Sequence, residues 1–340
     1  MLIAGHPRLD LEVITRLLTS GTGSLTLWVE YLQTPFLKIG TRGSLLALAQ
    51  AHEVRDRLVT SHNITVEDIG IIVIKTTGDK VQDRSLSEIG GKGLFTKEIE
   101  EALFDGSIDI AVHSMKDMPT VLPTGMEIAA LLPREDARDA FLSPKARDIL
   151  SLPQAAVVGS SSLRRAAQIK RLRPDIDVVT FRGNVQTRLK KLESGIVDAT
   201  LLAFAGLKRL GLEHEVTSLV ETEDMLPAVA QGAIGIEIKS DDFKARAAIA
   251  PLNDENTEIC VAAERAFLAV LDGSCQTPIA GYAQINSIGN VIFKGMILKP
   301  DGSESFFTQR EGGAGDAAAI GLDAGNELKQ RAGPDFLNTR

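Results

Sequence analysis

The chain has 340 residues, 44% of them hydrophobic and 24% charged, which is ordinary for a globular protein of two or three domains. A formal net charge of -8 and an aromatic content of 4% argue against a protein that coats nucleic acid or stacks single-stranded bases. No apolar run has transmembrane length, no signal-peptide pattern opens the chain, and two cysteines without a CxxC spacing favour a reducing compartment, so we expect a cytoplasmic protein without membrane or nucleic-acid partners.

Residues 1–34 differ from the rest of the chain, because they contain the only tryptophan and a patch rich in Gly, Ser and Thr. We interpret them as an extension outside the fold. Regular structure is predicted to begin with a strand at 36–40, which ends in a turn that carries Arg42 and Ser44. A buried helix is predicted to follow from residue 45 to about residue 58.

A glycine-rich loop and a strand with charged residues at its end come next. The loop at 90–93 lacks the GxxxxGK[ST] spacing of a P-loop and is equally well interpreted as a mobile loop. The predicted strand at 109–114 ends just before Lys116 and Asp117. Ligands bind beyond the carboxyl ends of strands in open α/β sheets, so these two residues are either part of a site or a surface ion pair at a turn. His113 is predicted to pack within the strand, and because no His or Cys stands at metal-ligand spacing, no metal is expected.

The strongest local signal is the segment 159–191, which contains nine basic and two acidic residues in a chain that is acidic overall. A predicted strand at 155–158 ends in a glycine and three serines, and a predicted helix follows. Backbone N–H groups and the positive end of the helix dipole make such a junction suitable for an anion. A second strand at 178–181 leads in the same way through Arg182 into a helix that carries Arg188. The segment is therefore predicted to bind an anionic ligand.

The cations of this segment fall into two groups. Charge runs are usually solvated helix faces, and this is our interpretation of Lys170, Arg171, Lys190 and Lys191. Cations are disfavoured at the start of a helix unless an anion offsets them, so the arginines at the turn-to-helix junctions favour ligand binding. Those arginines are Arg164, Arg165, Arg182 and Arg188.

The alternation of strands and helices as far as residue 238 predicts parallel sheets with crossover helices. Connectors at 133–138 and 225–231 bracket the basic segment and predict that it belongs to an inserted domain. A third part follows, with a predicted helix at 262–271 and predicted strands at 279–285 and 291–298.

The two cysteines lie in this third part. Cys275 stands in a loop bounded by glycine and proline, so it is either a reactive thiol or an ordinary loop residue. Cys260 is predicted to be a small core residue. A loose GxGxxA match at 313–318 follows a polar stretch, which we do not predict to be a strand, so we do not interpret it as a nucleotide site.

Over about residues 36–332 the chain resembles the porphobilinogen deaminase family, also called the hydroxymethylbilane synthase family. Eight motifs carry the resemblance, in this order: IGTRGS (39–44), GGKGLFTKE (90–98), DIAVHSMKDMP (109–119), VGSSSLRR (158–165), FRGNVQTRL (181–189), AGLKRLG (205–211), LPAVAQGAIGIE (226–237) and GSCQTP (273–278).

The resemblance implies an α/β fold, with two periplasmic-binding-protein-like α/β domains and a smaller C-terminal α+β domain. It implies these boundaries: residues 1–34 outside the match, domain 1 at 35–134 and 228–250, an inserted domain 2 at 135–227, and domain 3 at 251–340.

The resemblance also implies an activity, that of a transferase. Four porphobilinogen molecules are condensed head to tail, with release of ammonia, into the linear tetrapyrrole hydroxymethylbilane, on the route to haem. It implies a monomer with a covalent dipyrromethane cofactor, attached through a thioether to Cys275.

The motif matches imply a role for each of several residues. Asp117 is the expected catalytic carboxylate, which stabilises positive charge at the pyrrole nitrogens, and Lys116 stands beside it. Beyond that pair, the resemblance implies cofactor binding by Cys275, Arg164, Arg165, Ser162, Lys116 and Asp117, and substrate binding by Arg42, Ser44, Arg182, Arg188, Lys92, Phe95 and Gln231.

An alternative from a different class is a non-catalytic, two-lobed anion-binding protein. It explains the arginines at the helix starts. It explains neither a third domain with an accessible cysteine nor the absence of a signal peptide.

Overall fold

In the computed structural model, described here for residues 36–77, 96–271, 277–334 and 336, the chain forms three β-sheets with helices packed on them. In chain order the strands are β1 (Leu37–Arg42), β2 (Ile69–Ile74), β3 (Ile110–Ser114), β4 (Met126–Leu131), β5 (Asp139–Leu142), β6 (Val157–Gly159), β7 (Asp177–Val179), β8 (Ala199–Ala203), β9 (Ser218–Val220), β10 (Ile234–Lys239), β11 (Ile279–Ile285), β12 (Asn290–Leu298) and β13 (Ser305–Gly313). The helices are α1 (Leu45–His62), α2 (Lys97–Phe104), α3 (Leu163–Leu172), α4 (Val185–Glu193), α5 (Phe204–Arg209), α6 (Phe243–Ile249), α7 (Glu255–Val270) and α8 (Ala317–Ala332). Within these described ranges, no helix is long and apolar enough to cross a membrane.

The first lobe consists of a five-stranded sheet with α1, α2 and α6. Its strand order is β2-β1-β3-β10-β4. Two apolar clusters cover the two faces of the sheet: one includes Ile39, Val54 and Leu58, and the other includes Ile99 and Leu103. Burial of these apolar residues holds the helices against the sheet.

The second lobe has the same plan, with strand order β7-β6-β8-β5-β9 and helices α3, α4 and α5. The turn after β6 depends on a glycine, because a Cβ at Gly159 would lie 2.5 Å from Cγ of Phe181. That close approach lets Phe181, which is buried, pack directly on the end of β6.

The α/β class is confirmed, but the prediction of parallel sheets is wrong for two strands, each of which is the first strand after the chain passes from one lobe to the other. β10 is antiparallel to β3 and β4, and β5 is antiparallel to β8 and β9. Both strands begin where the chain crosses from one lobe to the other. The parallel strands end at that crossing, so a strand that starts there must run in the opposite direction.

The C-terminal lobe is an antiparallel sheet, β11-β12-β13, on which α7 and α8 pack through a core that includes Phe267, Phe293 and Leu328. α7 begins at Glu255, seven residues earlier than predicted, because Asp254 accepts a hydrogen bond from the N–H of Thr257 and caps it. The prediction that no strand precedes residue 313 is also wrong, because residues 305–313 form the edge strand β13. As the outer strand of a sheet it tolerates the polar residues that concealed it.

Candidate functional site

Strand-to-helix junctions at the carboxyl ends of the parallel strands form the floor of the candidate site. Ser44, Ser162 and Asn184 are the N-caps of α1, α3 and α4, each accepting a hydrogen bond from the backbone N–H three residues on, at 3.2, 3.4 and 2.9 Å. The junctions were predicted correctly, and the caps explain why each helix starts where it does. Each junction carries an arginine, at the end of the strand, in the turn or in the first two helical turns.

Arg164 and Arg165 do not extend into solvent; both are buried in the second lobe against a single carboxylate. Nη2 of Arg164 lies 2.8 Å from Oδ2 of Asp139, and Nη2 of Arg165 lies 2.7 Å from Oδ1 of the same residue. Each guanidinium also donates from Nη1 to a backbone carbonyl, Arg164 to Leu226 at 2.8 Å and Arg165 to Leu201 at 3.0 Å. Asp139 has no exposed surface, so this is a fully desolvated pair of cations with one anion between them.

The charge balance of this group perturbs the titration of Asp139. Burial alone would raise the pKa of its carboxyl, but the charges of Arg164 and Arg165 and hydrogen bonds from Arg165 and Gln231 lower that pKa well below its usual value. Gln231 is itself buried, and its Nε2 donates to Oδ1 of Asp139 at 2.8 Å and to the carbonyl of Ala137 at 2.7 Å. The acid is thus held ionised, and the two arginines together outweigh it by one charge.

Some N–H groups of these arginines have no hydrogen-bond acceptor among the described residues. Among the described residues, the buried Nε atoms of Arg164, Arg165 and Arg188 have no hydrogen-bond partner. A buried N–H group without an acceptor costs free energy of folding. A bound ligand that accepts a hydrogen bond from it is one explanation for such a group. Burial, with the nearby charges of Arg165 and Arg182, lowers the pKa of Arg188 to about 10. The arginines therefore lie close enough to repel one another where an anion is absent.

Lys116 and Asp117 reach the same group of charges from the first lobe. They occupy a 3-10 turn, Met115–Asp117, that directly follows β3. Burial lowers the pKa of the Lys116 ammonium, as do Arg165 and Arg164, while Asp117 and Asp139 oppose the effect. Asp117 is exposed, and its charge acts on Arg188 across the space between the lobes.

We call this group of seven side chains the cradle. It consists of Lys116, Asp117, Asp139, Arg164, Arg165, Arg182 and Arg188. Five formal positive and two formal negative charges leave a surplus of three positive charges. Guanidinium groups bind carboxylates bidentately, so the cradle is suited to a ligand that carries several carboxylates.

The predicted site residues are distributed as follows. The structure brings together Lys116, Asp117, Arg164, Arg165, Arg182 and Arg188; Arg42 and Ser44 lie at the carboxyl end of β1, next to β3 in the sheet. Ser162 caps α3, and the amide of Gln231 is committed to Asp139. Lys92, Phe95 and Cys275 lie outside the described residues, as do residues 1–34.

Most of the cations that we interpreted as parts of solvated helix faces do reach the surface. Arg171 and Lys190 are exposed, and Lys170 is partly so. Lys191 differs, because its Nζ donates to the carbonyl of Arg182 at 3.0 Å and so supports the turn that carries that arginine. Cys260 is buried, as predicted, and burial raises the pKa of its thiol to about 11, so it is a poor nucleophile.

Sequence reasoning missed Asp139, although it is the counter-ion of the two central arginines. The available signal was weak: an acid at the start of a short apolar run, Asp139–Leu142, which becomes the fully buried strand β5. An ionised residue inside a buried strand needs a partner, and this requirement could have connected it to the excess of arginine.

A separate crevice of about 810 Å³ lies between α1 and α4 and contains His52, Arg209 and several leucines. None of the seven cradle residues lines it. Arg209 is held there by Glu53, 3.3 Å from Nε, and by the carbonyl of Gly232, which accepts from Nη2 at 2.9 Å. Because this crevice contains none of the cradle's charges, we place the candidate site at the cradle.

Two family models match the chain. "Porphobilinogen deaminase, dipyromethane cofactor binding domain" matches residues 37–247, and "Porphobilinogen deaminase, C-terminal domain" matches residues 258–330. The first match alone covers more than half of the chain and includes all seven cradle residues.

Relatives similar over most of their length carry the same name. A porphobilinogen deaminase of Paracoccus denitrificans is 58% identical over 302 residues, 89% of this chain and 96% of the relative. One of Nitrobacter hamburgensis is 56% identical over 88% of this chain and 94% of the relative. A chloroplastic porphobilinogen deaminase of Pisum sativum is 55% identical over 90% of this chain and 85% of the relative.

Solved structures align more distantly. A periplasmic substrate-binding protein of an ABC transporter from Coxiella burnetii has a TM-score of 0.41 and 12% identity, over 64% of this chain and 91% of that chain. A nutrient-binding protein from Burkholderia cenocepacia bound to methionine has a TM-score of 0.39 and 12% identity, over 63% of this chain and 90% of that chain.

Proposed function

The chain belongs to the porphobilinogen deaminase family, and we propose that the cradle is where it carries out the family's reaction. The family's enzymes are transferases, known also as hydroxymethylbilane synthases, and they use a dipyrromethane cofactor. The reaction condenses four porphobilinogen molecules head to tail, with loss of ammonia, into hydroxymethylbilane.

One observation carries the assignment: buried arginine donors that have no partner among the described residues lie near Lys116 and Asp117. Each pyrrole unit of the cofactor and substrate bears an acetate and a propionate, so a dipyrromethane presents four carboxylates. The surplus of three positive charges and the unpaired Nε atoms of Arg164, Arg165 and Arg188 fit such a ligand. When bound, the dipyrromethane supplies the pyrrole carbon from which the chain grows.

In and beside the cradle we assign Arg164, Arg165, Ser162, Lys116 and Asp117 to the cofactor. Arg182, Arg188, Arg42 and Ser44 are assigned to the incoming substrate. Gln231, which the motif match placed with them, is buried and donates to Asp139, so we assign it to the support of the arginine pair. Lys92 and Phe95 are also assigned to the substrate, and Cys275 to the thioether, by motif match alone, because they lie outside the described residues. This division follows the motif matches; the charges by themselves do not separate the two groups.

Asp117 is proposed as the catalytic carboxylate. Loss of ammonia leaves positive charge on the substrate's pyrrole ring, and the condensation then releases a proton. An ionised carboxylate at the carboxyl end of β3 stabilises that charge electrostatically and accepts a hydrogen bond from pyrrole nitrogen. Lys116, whose pKa burial lowers, is placed to hold a carboxylate of the cofactor next to Asp117.

The alternative of a non-catalytic two-lobed binding protein is less well supported, because the chain belongs to a family named for an enzyme and matches it in both parts of its sequence. We further propose that the protein acts as a monomer in the cytoplasm. The family resemblance implies the monomeric state, and two cysteines without a CxxC spacing favour a reducing compartment.

The decisive experiment compares intact masses of the purified protein and its Cys275→Ser variant. We expect the unsubstituted chain to exceed its sequence mass by two condensed pyrrole units and the variant to match its sequence mass. Asp117→Asn is then expected to retain the cofactor mass and to release ammonia from porphobilinogen about 10²- to 10⁴-fold more slowly.

Three results would contradict the proposal. If both proteins keep the sequence mass even after incubation with porphobilinogen, the chain carries no dipyrromethane cofactor. If the Cys275→Ser variant gains the same extra mass as the unsubstituted chain, Cys275 is not the attachment site. If Asp117→Asn releases ammonia at an undiminished rate, the catalytic carboxylate lies elsewhere.

A further inference from the structure

Asp117 depends on its backbone for its position. Among the residues that the structure describes, none donates a hydrogen bond to its carboxylate. The 3-10 turn that presents it is only three residues long, and residues 118–125 beyond it have no regular structure until β4. The place of the carboxylate is therefore set by whatever holds the two ends of the turn.

The entry to the turn is fixed within the first lobe. The N–H of Met115 donates to the carbonyl of Ala233 at 3.0 Å, at the end of the ladder between β3 and β10. Two residues before Met115, Nε2 of His113 lies 2.9 Å from Oε2 of Glu237, and both side chains are buried. β3 therefore reaches the turn with its backbone and one side chain tied to β10.

The exit is fixed from the C-terminal lobe. Nη2 of Arg265, on α7, donates to the carbonyl of Pro119 at 2.6 Å and to that of Thr120 at 3.2 Å. These are the second and third carbonyls after that of Asp117. A single guanidinium thus binds the chain directly beyond the catalytic turn.

Arg265 is balanced by the same acid that holds β3. Glu237 has no exposed surface; its Oε2 pairs with His113, and its Oε1 has no hydrogen-bond partner among the described residues. Burial lowers the pKa of Arg265, and the charge of Glu237 opposes that effect. One buried carboxylate therefore stabilises the groups that hold both ends of the turn.

From these contacts we propose that Arg265 is a positioning residue for Asp117: by binding the carbonyls of Pro119 and Thr120, it fixes where the turn presents the carboxylate. The proposal rests on the role assigned to Asp117 above. It gives the C-terminal lobe a part in the chemistry that is separate from carrying the cofactor cysteine.

The test is a double-mutant cycle. Arg265→Met and Arg265→Lys are made in the unsubstituted chain and in Asp117→Asn, and kcat and KM are measured after intact mass has confirmed cofactor loading. Arg331→Met is the matched control, because Arg331 also lies in the C-terminal lobe and donates to a carbonyl, that of Phe307, at 2.9 Å.

A misplaced catalytic group costs on the order of 10²-fold in rate, so we expect Arg265→Met to lower kcat about 10- to 100-fold with KM little changed. Arg265→Lys, which keeps a donor, should recover part of the loss, and Arg331→Met should lose none. In the Asp117→Asn background, Arg265→Met should cause no further loss. Amide hydrogen exchange at 116–121 should be faster in Arg265→Met than in Arg331→Met.

The outcomes separate the two proposals. If Asp117→Asn slows turnover as expected but Arg265→Met costs the same factor in both backgrounds, the positioning role is overturned and the role of Asp117 stands. If Asp117→Asn keeps near-full turnover, both are overturned. If Arg265→Met does not fold, Arg265→Lys carries the same cycle, and equal losses in the two backgrounds again refute positioning.

Discussion

The arginine pair on Asp139 allows a prediction whose size follows from the structure. Asp139→Asn keeps the shape of the side chain and one acceptor but removes the one formal negative charge that, among the described residues, contacts Arg164 and Arg165. Removing one partner of a buried ion pair costs about 3–5 kcal/mol, because the other partner is left buried and uncompensated. Asparagine still accepts one of the hydrogen bonds, so we expect about 3 kcal/mol of lost stability.

The assay is urea unfolding at neutral pH, in a Cys275→Ser background so that no cofactor carboxylate takes the place of the lost charge. With a slope near 3 kcal/mol/M, the expected loss moves the midpoint by about 1 M. Asp323→Asn is the control, because that carboxylate also pairs with an arginine, Arg310, at 2.6 Å but is 69% exposed. An exposed pair contributes little, so the control should unfold close to its parent.

The dependence on pH gives a second check on Asp139. Its folded-state pKa is depressed, so its stabilising contribution is complete above the ordinary aspartate pKa of about 3.9 and is lost as the pH falls through the folded-state value. The difference in free energy of unfolding between parent and Asp139→Asn should be constant from about pH 5 to 8 and should narrow only in more acidic solution. Equal midpoints at neutral pH would refute the reasoning.

Three further predictions concern other parts of the molecule. Arg188→Lys keeps the charge but loses the planar fork, so KM for porphobilinogen should rise about tenfold, whereas the exposed control Arg171→Lys should leave KM unchanged; an unchanged KM in both would count against bidentate binding. Gly159→Ala places a Cβ 2.5 Å from Cγ of Phe181 and should cost about 1–3 kcal/mol in urea unfolding, a conclusion that a parent-like midpoint would disprove. Glu264→Gln removes the charge that pairs with Nη1 of Arg134 at 2.6 Å. Because the acid is fully buried, the free energy of unfolding should fall by about 3–5 kcal/mol in the same assay, and an unchanged midpoint would show that the pair contributes nothing.

Local signals in the sequence were sufficient to predict the strand-to-helix junctions that carry the arginines of the cradle. Ser162 and Asn184 stand where a capping residue is needed, and the helices begin directly after them. The arginines there were recognised because they stand near helix N-termini, where their charge is unfavourable without an anion. Local geometry and local charge were enough, because both features depend on neighbours within a few positions in the chain.

The rest depended on contacts between residues far apart in sequence. Arg164 and Arg165 were expected to face a ligand, and their main contact proved to be Asp139, more than twenty positions earlier. The direction of β10 could not be read from its apolar run, because that run is compatible with either pairing. What decided it was the path of the chain between the lobes, which no short segment encodes.

The way the cradle divides between the lobes explains why its central charges are paired as they are. Asp139 lies in β5 and the two arginines lie in α3, so the acid and both cations belong to the second lobe, while Lys116 and Asp117 belong to the first. A rotation of one lobe against the other therefore changes the separation of Asp117 from the arginines without breaking the buried ion pairs. Such an arrangement suits a site that holds a growing chain, because separating the lobes would leave Asp139 paired with both arginines.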